Sequence, residues 1–223
     1  MKQPIVKSSW GITLVGGGPV SARDLRFALL RAPVAVAADS GADRLLRAGI
    51  VPEAVIGDFD SLSDMARASI PVDRQHRMAE QATTDFDKAL RSVSAPFVLA
   101  LGCAGARIDH GLAVFNALVR NSGPPCILLG SVDLVFAAPP EVALRMRVGE
   151  RLSLFPFAPV TGTSEGLEWP IGGLAFAPDG QIGTSNRVVA PQVRLRFDGP
   201  GMLVILPRGR LDMVISALTA PPC

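Results

Sequence analysis

The segment Gly57-Asp58-Phe59-Asp60-Ser61 sets two carboxylates two residues apart behind a glycine able to turn the chain tightly, and such a pair can direct its oxygens at one hard cation. Asp58 ends the apolar run EAVIGD (53–58), and Asp39 ends another, PVAVAAD (33–39). If both runs are parallel strands, both carboxylates face the crevice outside the carboxyl ends of a sheet, where ligands of open α/β sheets bind. A purely structural reading stands beside this one: Ser61-Leu62-Ser63-Asp64 fits a capping box, which accounts for Ser61 and Asp64 but not for Asp58 next to Asp60.

Two further clusters carry related chemistry. In QATTDFDK (81–88), Thr84 and Asp87 have capping-box spacing, and Asp85 with Lys88 has the spacing of a first-turn surface pair. At the same helix start, Thr84 and Asp85 lie where backbone N–H groups favour phosphate, and Lys88 offers it a point charge. In GCAGARIDH (102–110), small residues let a phosphate or a flat ring approach the backbone, Arg107 can clamp phosphate bidentately, and Asp109 adds a carboxylate at a helix start. His110 reads as a capping or hydrogen-bonding residue more readily than as a base. Gly16-Gly17-Gly18-Pro19 is a weak signal, with neither dinucleotide-binding nor Walker-type spacing. Asp39, Asp58, Asp60, Asp85 and Asp109 thus fall beside Lys88 and Arg107 in loops after four expected strands. Carboxylates that repel one another in one cleft need a cation, and Mg²⁺ typically joins carboxylates to substrate phosphates, so the expected chemistry is phosphoryl or pyrophosphoryl transfer.

The elements that must position these groups alternate. Short apolar runs at 12–16, 33–39, 53–58, 97–102 and 126–130 read as parallel strands buried on both faces, and helix candidates occupy 21–31, 42–48, 62–69, 85–93 and 108–119. This is a doubly wound, mostly parallel α/β domain over residues 1–139. After AAPPE (137–141) come VALRMRV, RLSLFPF, GGLAFA, QVRLRF and GMLVIL, with hairpin-type signals at Asp179-Gly180 and Asp198-Gly199. Residues 140–223 are therefore expected to form a small all-β domain, a sandwich.

The 223 residues are 48% hydrophobic and 19% charged, enough apolar content for packed cores and against whole-chain disorder. Twenty-two Lys and Arg against 20 Asp and Glu leave no basic tail or half to hold a nucleic acid. Neither a signal peptide nor a run near the roughly 20 apolar residues of a membrane span is visible. Cys103, Cys126 and Cys223 are odd in number and widely spaced, and they read as small core residues of a reduced, cytoplasmic protein.

ADSGADRLLRAGIVPEAVIGDFDS (38–61), TTDFDKAL (83–90), LGCAGARIDH (101–110), SLFPF (153–157), GLEWPI (166–171) and TSN (184–186), in that order, resemble the thiamin pyrophosphokinase family over nearly the whole chain. The resemblance implies transfer of a pyrophosphoryl group from ATP to the hydroxyl of thiamin, with Mg²⁺, in a homodimer that shares its active sites between subunits. It implies an acidic site of Asp58, Asp60, Asp85 and Asp109 for the metal, ATP contacts from Asp39, Ser61, Gln81, Thr84, Lys88 and Arg107, and thiamin contacts from Trp169, Ser185 and Asn186. Ser40, Ala82, Ala106 and Val114 depart from the family's usual residues, which bears on nucleotide contacts and affinity more than on the reaction. An indole suits thiamin's cationic thiazolium and flat aminopyrimidine, yet Trp169 could fill the sandwich core, and Ser185 and Asn186 could be ordinary turn formers. Two competing functions remain at this stage: a related enzyme acting on a hydroxymethylpterin, because the acidic site reports on the donor, and a non-catalytic thiamin- or nucleotide-binding regulator.

Overall fold

The computed structural model describes residues 3–105 and 107–220, so Ala106 and Cys223 lie outside the described residues. The chain forms two compact units, Met1–Leu128 and Leu129–Cys223.

In the first unit, strands β1 (Ile12–Val15), β2 (Val34–Ala38), β3 (Ala54–Gly57), β4 (Gln75–Arg77), β5 (Val98–Leu101) and β6 (Cys126–Leu129) hydrogen-bond in the order β6-β5-β1-β2-β3-β4, every pair parallel. The order reverses between β1 and β5, which makes the loops after those two strands the sides of a switch-point crevice. Helices α1 (Ala22–Leu29), α2 (Gly41–Arg47), α3 (Asp64–Ser69), α4 (Asp85–Arg91) and α5 (Ile108–Arg120) supply the crossovers. Val15, Ala35, Ala37 and Val55 on one face of the sheet pack with Leu25, Leu45 and Ala66 of α1, α2 and α3. Leu14, Val36 and Ile56 alternate with them and are equally buried, as expected of parallel strands covered on both sides.

Local chemistry sets the helix starts. Ser21 caps α1 by accepting from the Asp24 N–H (3.0 Å), and Thr84 caps α4 by accepting from the Asp87 N–H (3.3 Å). The expected cap at Ser61 is not formed: α3 starts at Asp64, and Ser63 caps it by accepting from the Ala66 N–H (3.1 Å). Ser63 is itself fixed by Asp43 of α2, to which its hydroxyl donates. No apolar pattern marks β4, whose residues Gln75, His76 and Arg77 are polar.

In the second unit, β7 (Asp133–Ala137), β9 (Arg151–Pro156), β11 (Gly183–Arg187) and β13 (Met202–Pro207) form one antiparallel sheet in the order β11-β9-β13-β7. Strands β8 (Glu141–Arg145), β10 (Gly162–Glu165) and β12 (Gln192–Phe197) form the other, with β12 central. Strict buried/exposed alternation along β8 and β12 gives that sheet one face to bury, the pattern of a sandwich. The expected boundary at 139/140 falls later than the observed division because β7, unrecognised in the sequence, pairs with β13. GGLAFA is not a strand: only Phe176 is buried there, joined by isolated bridges to Val160 and Gln181. Asp198-Gly199 does not close a hairpin either, since it links β12 of one sheet to β13 of the other. A C-terminal helix, α6 (Leu211–Thr219), packs on β8 through a unit expected to be all β.

Candidate active site

The carboxyl ends of the first unit's strands open on a crevice of about 470 Å³. Its floor is made by close backbone approach. A Cβ on Gly16 or Gly18 would stand 2.6 Å from the Gly102 carbonyl oxygen, and Gly102 itself has φ +64°. The Gly18 N–H donates to Gly102 O at 2.8 Å, so the triple glycine after β1 and the glycine after β5 form one seam across the switch point. The only sequence signal for this seam was the glycine run.

Asp39, one residue beyond β2, is 4% exposed and has φ 45°, a conformation that costs a non-glycine residue energy. Its Oδ2 accepts from the Ser61 N–H at 3.1 Å, whereas its Oδ1 is buried with no hydrogen-bond partner. Burial pushes the carboxyl up to about 6, with the nearby Asp85, Asp60 and Asp58 charges adding to the rise against the Ser61 hydrogen bond. Asp58 Oδ1 accepts from the Asp60 N–H at 3.2 Å, and its Oδ2 accepts from Gln81 Nε2 at 3.3 Å and Lys88 Nζ at 3.5 Å. Burial alone would raise the Asp58 carboxyl, but the Asp60 amide, Lys88 and Gln81 outweigh it and hold it below its usual value. The tight turn comes at Phe59, φ +68°, not at Gly57. Glycine is needed at 57 for space: a Cβ there would lie 3.0 Å from the Asp39 Cβ and 3.2 Å from Asp85 Oδ1.

Asp85 Oδ1 accepts from the Asp58 N–H (3.3 Å) and from Lys88 Nζ (3.0 Å). Lys88 is buried, the only buried cation among the described residues, so it is no surface pair. Desolvation would lower its pKa, but Asp85 and Asp58 outweigh that and raise it, keeping the ammonium charged. Its charge therefore faces carboxylates and fixes β3's end to α4.

Asp39, Asp58 and Asp60 each offer one oxygen, all within 4.8 Å of one another. Hard oxygen donors at this spacing, from a set whose Asp39 also carries a buried oxygen without a hydrogen-bond partner among the described residues, fit a divalent cation such as Mg²⁺. Two members of the metal set expected from the sequence stand differently. Asp85 touches the group through Asp58 and Lys88, and Asp109 turns away to Arg107, whose Nε and Nη2 donate to its two oxygens at 3.1 and 2.6 Å. Arg107 lines the crevice with His110, but both partners of this bidentate pair are exposed, so the pair is a weak tether. Ser61 donates its hydroxyl to Asp60 at 2.9 Å, and Thr84 lines the crevice beside its capping role. Cys103 is no core residue. It lines the crevice, and burial pushes its thiol up to about 12, which leaves it un-ionised at neutral pH. Of the departures, Ser40 and Val114 both line the crevice, and the Ala82 N–H donates to Glu80.

In the second unit, Trp169 is not a core residue, since it is 56% exposed. Ser185 and Asn186 lie in β11, not in a turn, although Ser185 has φ 60° and donates its N–H to Ser153 Oγ at 2.9 Å. Asn186 is buried and brackets the tryptophan's main chain: its Nδ2 donates to Trp169 O at 2.7 Å, and its Oδ1 accepts from the Trp169 N–H at 3.2 Å and the Arg187 N–H at 2.8 Å. Asn186 thus presents the indole, and Arg187, ion-paired with Glu168, lies 6.0 Å from the ring centroid.

Strand ends that gather carboxylates around a buried lysine at a switch point define the class, an α/β protein built for phosphoryl-type transfer. The family model "Thiamin pyrophosphokinase, catalytic domain" matches residues 26–128, and "Thiamin pyrophosphokinase, vitamin B1 binding domain" matches residues 141–201. Thiamine pyrophosphokinase 1 of Oryza sativa subsp. japonica is 28% identical over 214 residues, 78% of this chain and 80% of that protein. The structure of thiamin pyrophosphokinase from Candida albicans aligns with TM-score 0.74 and 15% identity over 92% of this chain and 93% of its own. Yeast thiamin pyrophosphokinase gives 0.73 and 18% over 93% and 89%; at these identities both show the fold. The chain belongs to the thiamin pyrophosphokinase family.

Proposed function

We propose that this chain transfers a pyrophosphoryl group from Mg²⁺-ATP to the hydroxyl of thiamin, giving thiamin diphosphate and AMP. The observation that carries the reading is the Asp39, Asp58 and Asp60 group, with its unpartnered buried oxygen, at the switch point of a chain matched by both a catalytic and a vitamin B1 binding family model. In the reaction the thiamin hydroxyl oxygen bonds to the β-phosphorus and gives up its proton to solvent, the bond from that phosphorus to the oxygen bridging to the α-phosphate breaks, and AMP leaves. Asp39, Asp58 and Asp60 would hold Mg²⁺, which when bound would supply charge neutralisation at the phosphates. Lys88 holds Asp58 and Asp85 in place, Gln81 orients Asp58, and Arg107 can exchange Asp109 for a phosphate oxygen. Trp169, held by Asn186, offers an exposed indole to thiamin's rings.

A homodimer with shared sites belongs to this proposal, each crevice being completed by Trp169 and Ser185 of the other subunit, because the two motif sets lie in separate units of the chain. The free thiols of Cys103 and Cys126 suit a reducing compartment, the cytoplasm. Among the described residues no helix is long and apolar enough to cross a membrane. Calorimetry with ATP and thiamin, run alongside detection of AMP, tests the activity. AMP formed with thiamin supports it, while AMP formed only with a hydroxymethylpterin, or binding without turnover, overturns it. Mixing Asp58→Asn with Trp169→Ala chains, assayed at thiamin well below the raised KM of Trp169→Ala, tests the sharing: under random exchange low-KM activity up to about a quarter of wild type returns, and a mixture that exchanges subunits yet shows no activity above that of the separate variants refutes it.

A further inference from the structure

Residues 78–84 leave β4 and deliver Gln81, Thr83, Thr84 and Asp85 to the crevice. The segment enters on a main-chain bond from the Met78 N–H to Gly57 O at 2.7 Å and leaves on one from the Lys88 N–H to Thr84 O at 2.9 Å. Between them, among the described residues, 79–83 make no main-chain to main-chain hydrogen bond. A single carboxylate takes that role. Glu80 Oε2 accepts from the Ala82 N–H at 2.9 Å, and Oε1 accepts from the Thr83 hydroxyl and from Arg91 Nη2, the latter at 2.5 Å. Arg91 is the last residue of α4 and Asp85 the first, so the ion pair ties the start of the loop to the far end of the helix that the loop feeds. Glu80 does not line the crevice, but Gln81, its neighbour, does and donates to Asp58.

We propose that Glu80 is a positioning residue for the transfer reaction: its bracket to Ala82, Thr83 and Arg91 fixes the loop so that Gln81 and Asp85 meet Asp58 in one arrangement. The proposal rests on the function given above and adds a residue that touches no reacting atom. The Thr83 hydrogen bond and Arg91 hold the Glu80 carboxyl down to about 2, so the bracket stays charged throughout the neutral range. Loops without main-chain ladders sample many conformers, and displacing a catalytic group by a fraction of an ångström lowers turnover without altering the ligand surface.

Glu80→Gln keeps the shape but turns one acceptor into a donor against the Arg91 or Ala82 donors, whereas Glu80→Asp restores the charge. The expected result is a kcat lower by about tenfold in Glu80→Gln, with KM for thiamin within about twofold, partial recovery in Glu80→Asp, and faster amide hydrogen exchange confined to the peptide covering 78–84. Arg91→Ala should give a smaller loss that is less than additive with Glu80→Gln, since both break one bracket. A kcat within twofold of wild type, unchanged exchange in 78–84, or a loss that follows a fall in melting temperature with exchange rising throughout the chain overturns the proposal. Wild-type protein that makes no thiamin-dependent AMP refutes the function instead, and the exchange comparison still decides whether Glu80 holds the loop.

Discussion

Asp39→Asn should make the metal-free protein more stable while abolishing its activity. The carboxylate is buried, one oxygen has no partner, and burial with the charges of Asp85, Asp60 and Asp58 raises its pKa from 3.8 to about 6. A raised carboxyl binds its proton more tightly in the folded state, so below the unfolded pKa it costs nothing, and stability is lost as pH climbs from about 4 through 6. One pKa unit is worth about 1.4 kcal/mol, so the loss reaches about 3 kcal/mol above pH 6, roughly half of it already present at pH 5. Asparagine keeps the acceptor for the Ser61 N–H and carries no charge, which removes the penalty from burial and from the neighbouring carboxylates. Urea titrations in EDTA from pH 4 to 8 measure this: relative to Asp39→Asn, the wild type should weaken with rising pH by about 3 kcal/mol, and the variant should exceed it at pH 8. Excess Mg²⁺ should stabilise the wild type at pH 8 and leave the variant nearly unchanged. An Asp39→Asn protein less stable than wild type at pH 8 in EDTA, or one with the same pH dependence, would refute the reasoning.

Asp58→Asn should fold normally and lose on the order of 10²-fold in kcat, checked by steady-state AMP release. Gly57→Ala should lower kcat and weaken Mg²⁺ binding, because the new methyl presses on the Asp39 Cβ and Asp85 Oδ1; a Mg²⁺ titration followed by calorimetry reads it. Trp169→Ala should raise KM for thiamin about tenfold with little change in melting temperature, the indole being exposed. Asn186→Ala should lower both stability, by about 1–3 kcal/mol in urea titrations, and thiamin affinity, because it strips partners from Trp169's main-chain N–H and C=O.

What the sequence revealed and what it hid divide along physical lines. The β-branched and apolar runs that became β1, β2, β3, β5 and β6 are buried on both faces, so hydrophobicity alone marks them. Strand β4 is held by ladder bonds to β3 and by Gln75 Nε2 donating to Arg67 O and Ile70 O, none of which leaves an apolar trace. Strands β10 and β11 are likewise polar and exposed along much of their length, so their pairing with β12 and β9 is a tertiary fact. At the crevice, residue type disclosed the aspartates but not their division of labour. Asp39, with a positive φ, places an oxygen near those of Asp58 and Asp60, whereas Asp109 is paired with Arg107 two residues away. Glu80 and Asn186 escaped notice, as brackets, because neither follows a spacing rule: one binds its own loop and the end of α4, the other a main chain 17 residues away.

The crevice is organised by opposition between charge and burial. Asp39, Asp58, Asp60 and Asp85 are held together by one buried lysine, so if all were ionised the group would carry three uncompensated negative charges in partly desolvated surroundings. The fold accommodates this in two ways: it directs the amides of Asp58, Asp60 and Ser61 onto the carboxylates, and it raises the pKa of Asp39, the most buried of the four. Neither device gives the Asp39 Oδ1 a hydrogen-bond partner among the described residues. A cation among these carboxylates would cancel the repulsion, and Arg107 at the crevice wall, paired with an exposed aspartate, would favour an anionic group beside it. A polyphosphate meets both demands. In the proposed function the acidic residues would hold the metal-bound donor, and acceptor choice would fall to Trp169 and the bracket on its main chain.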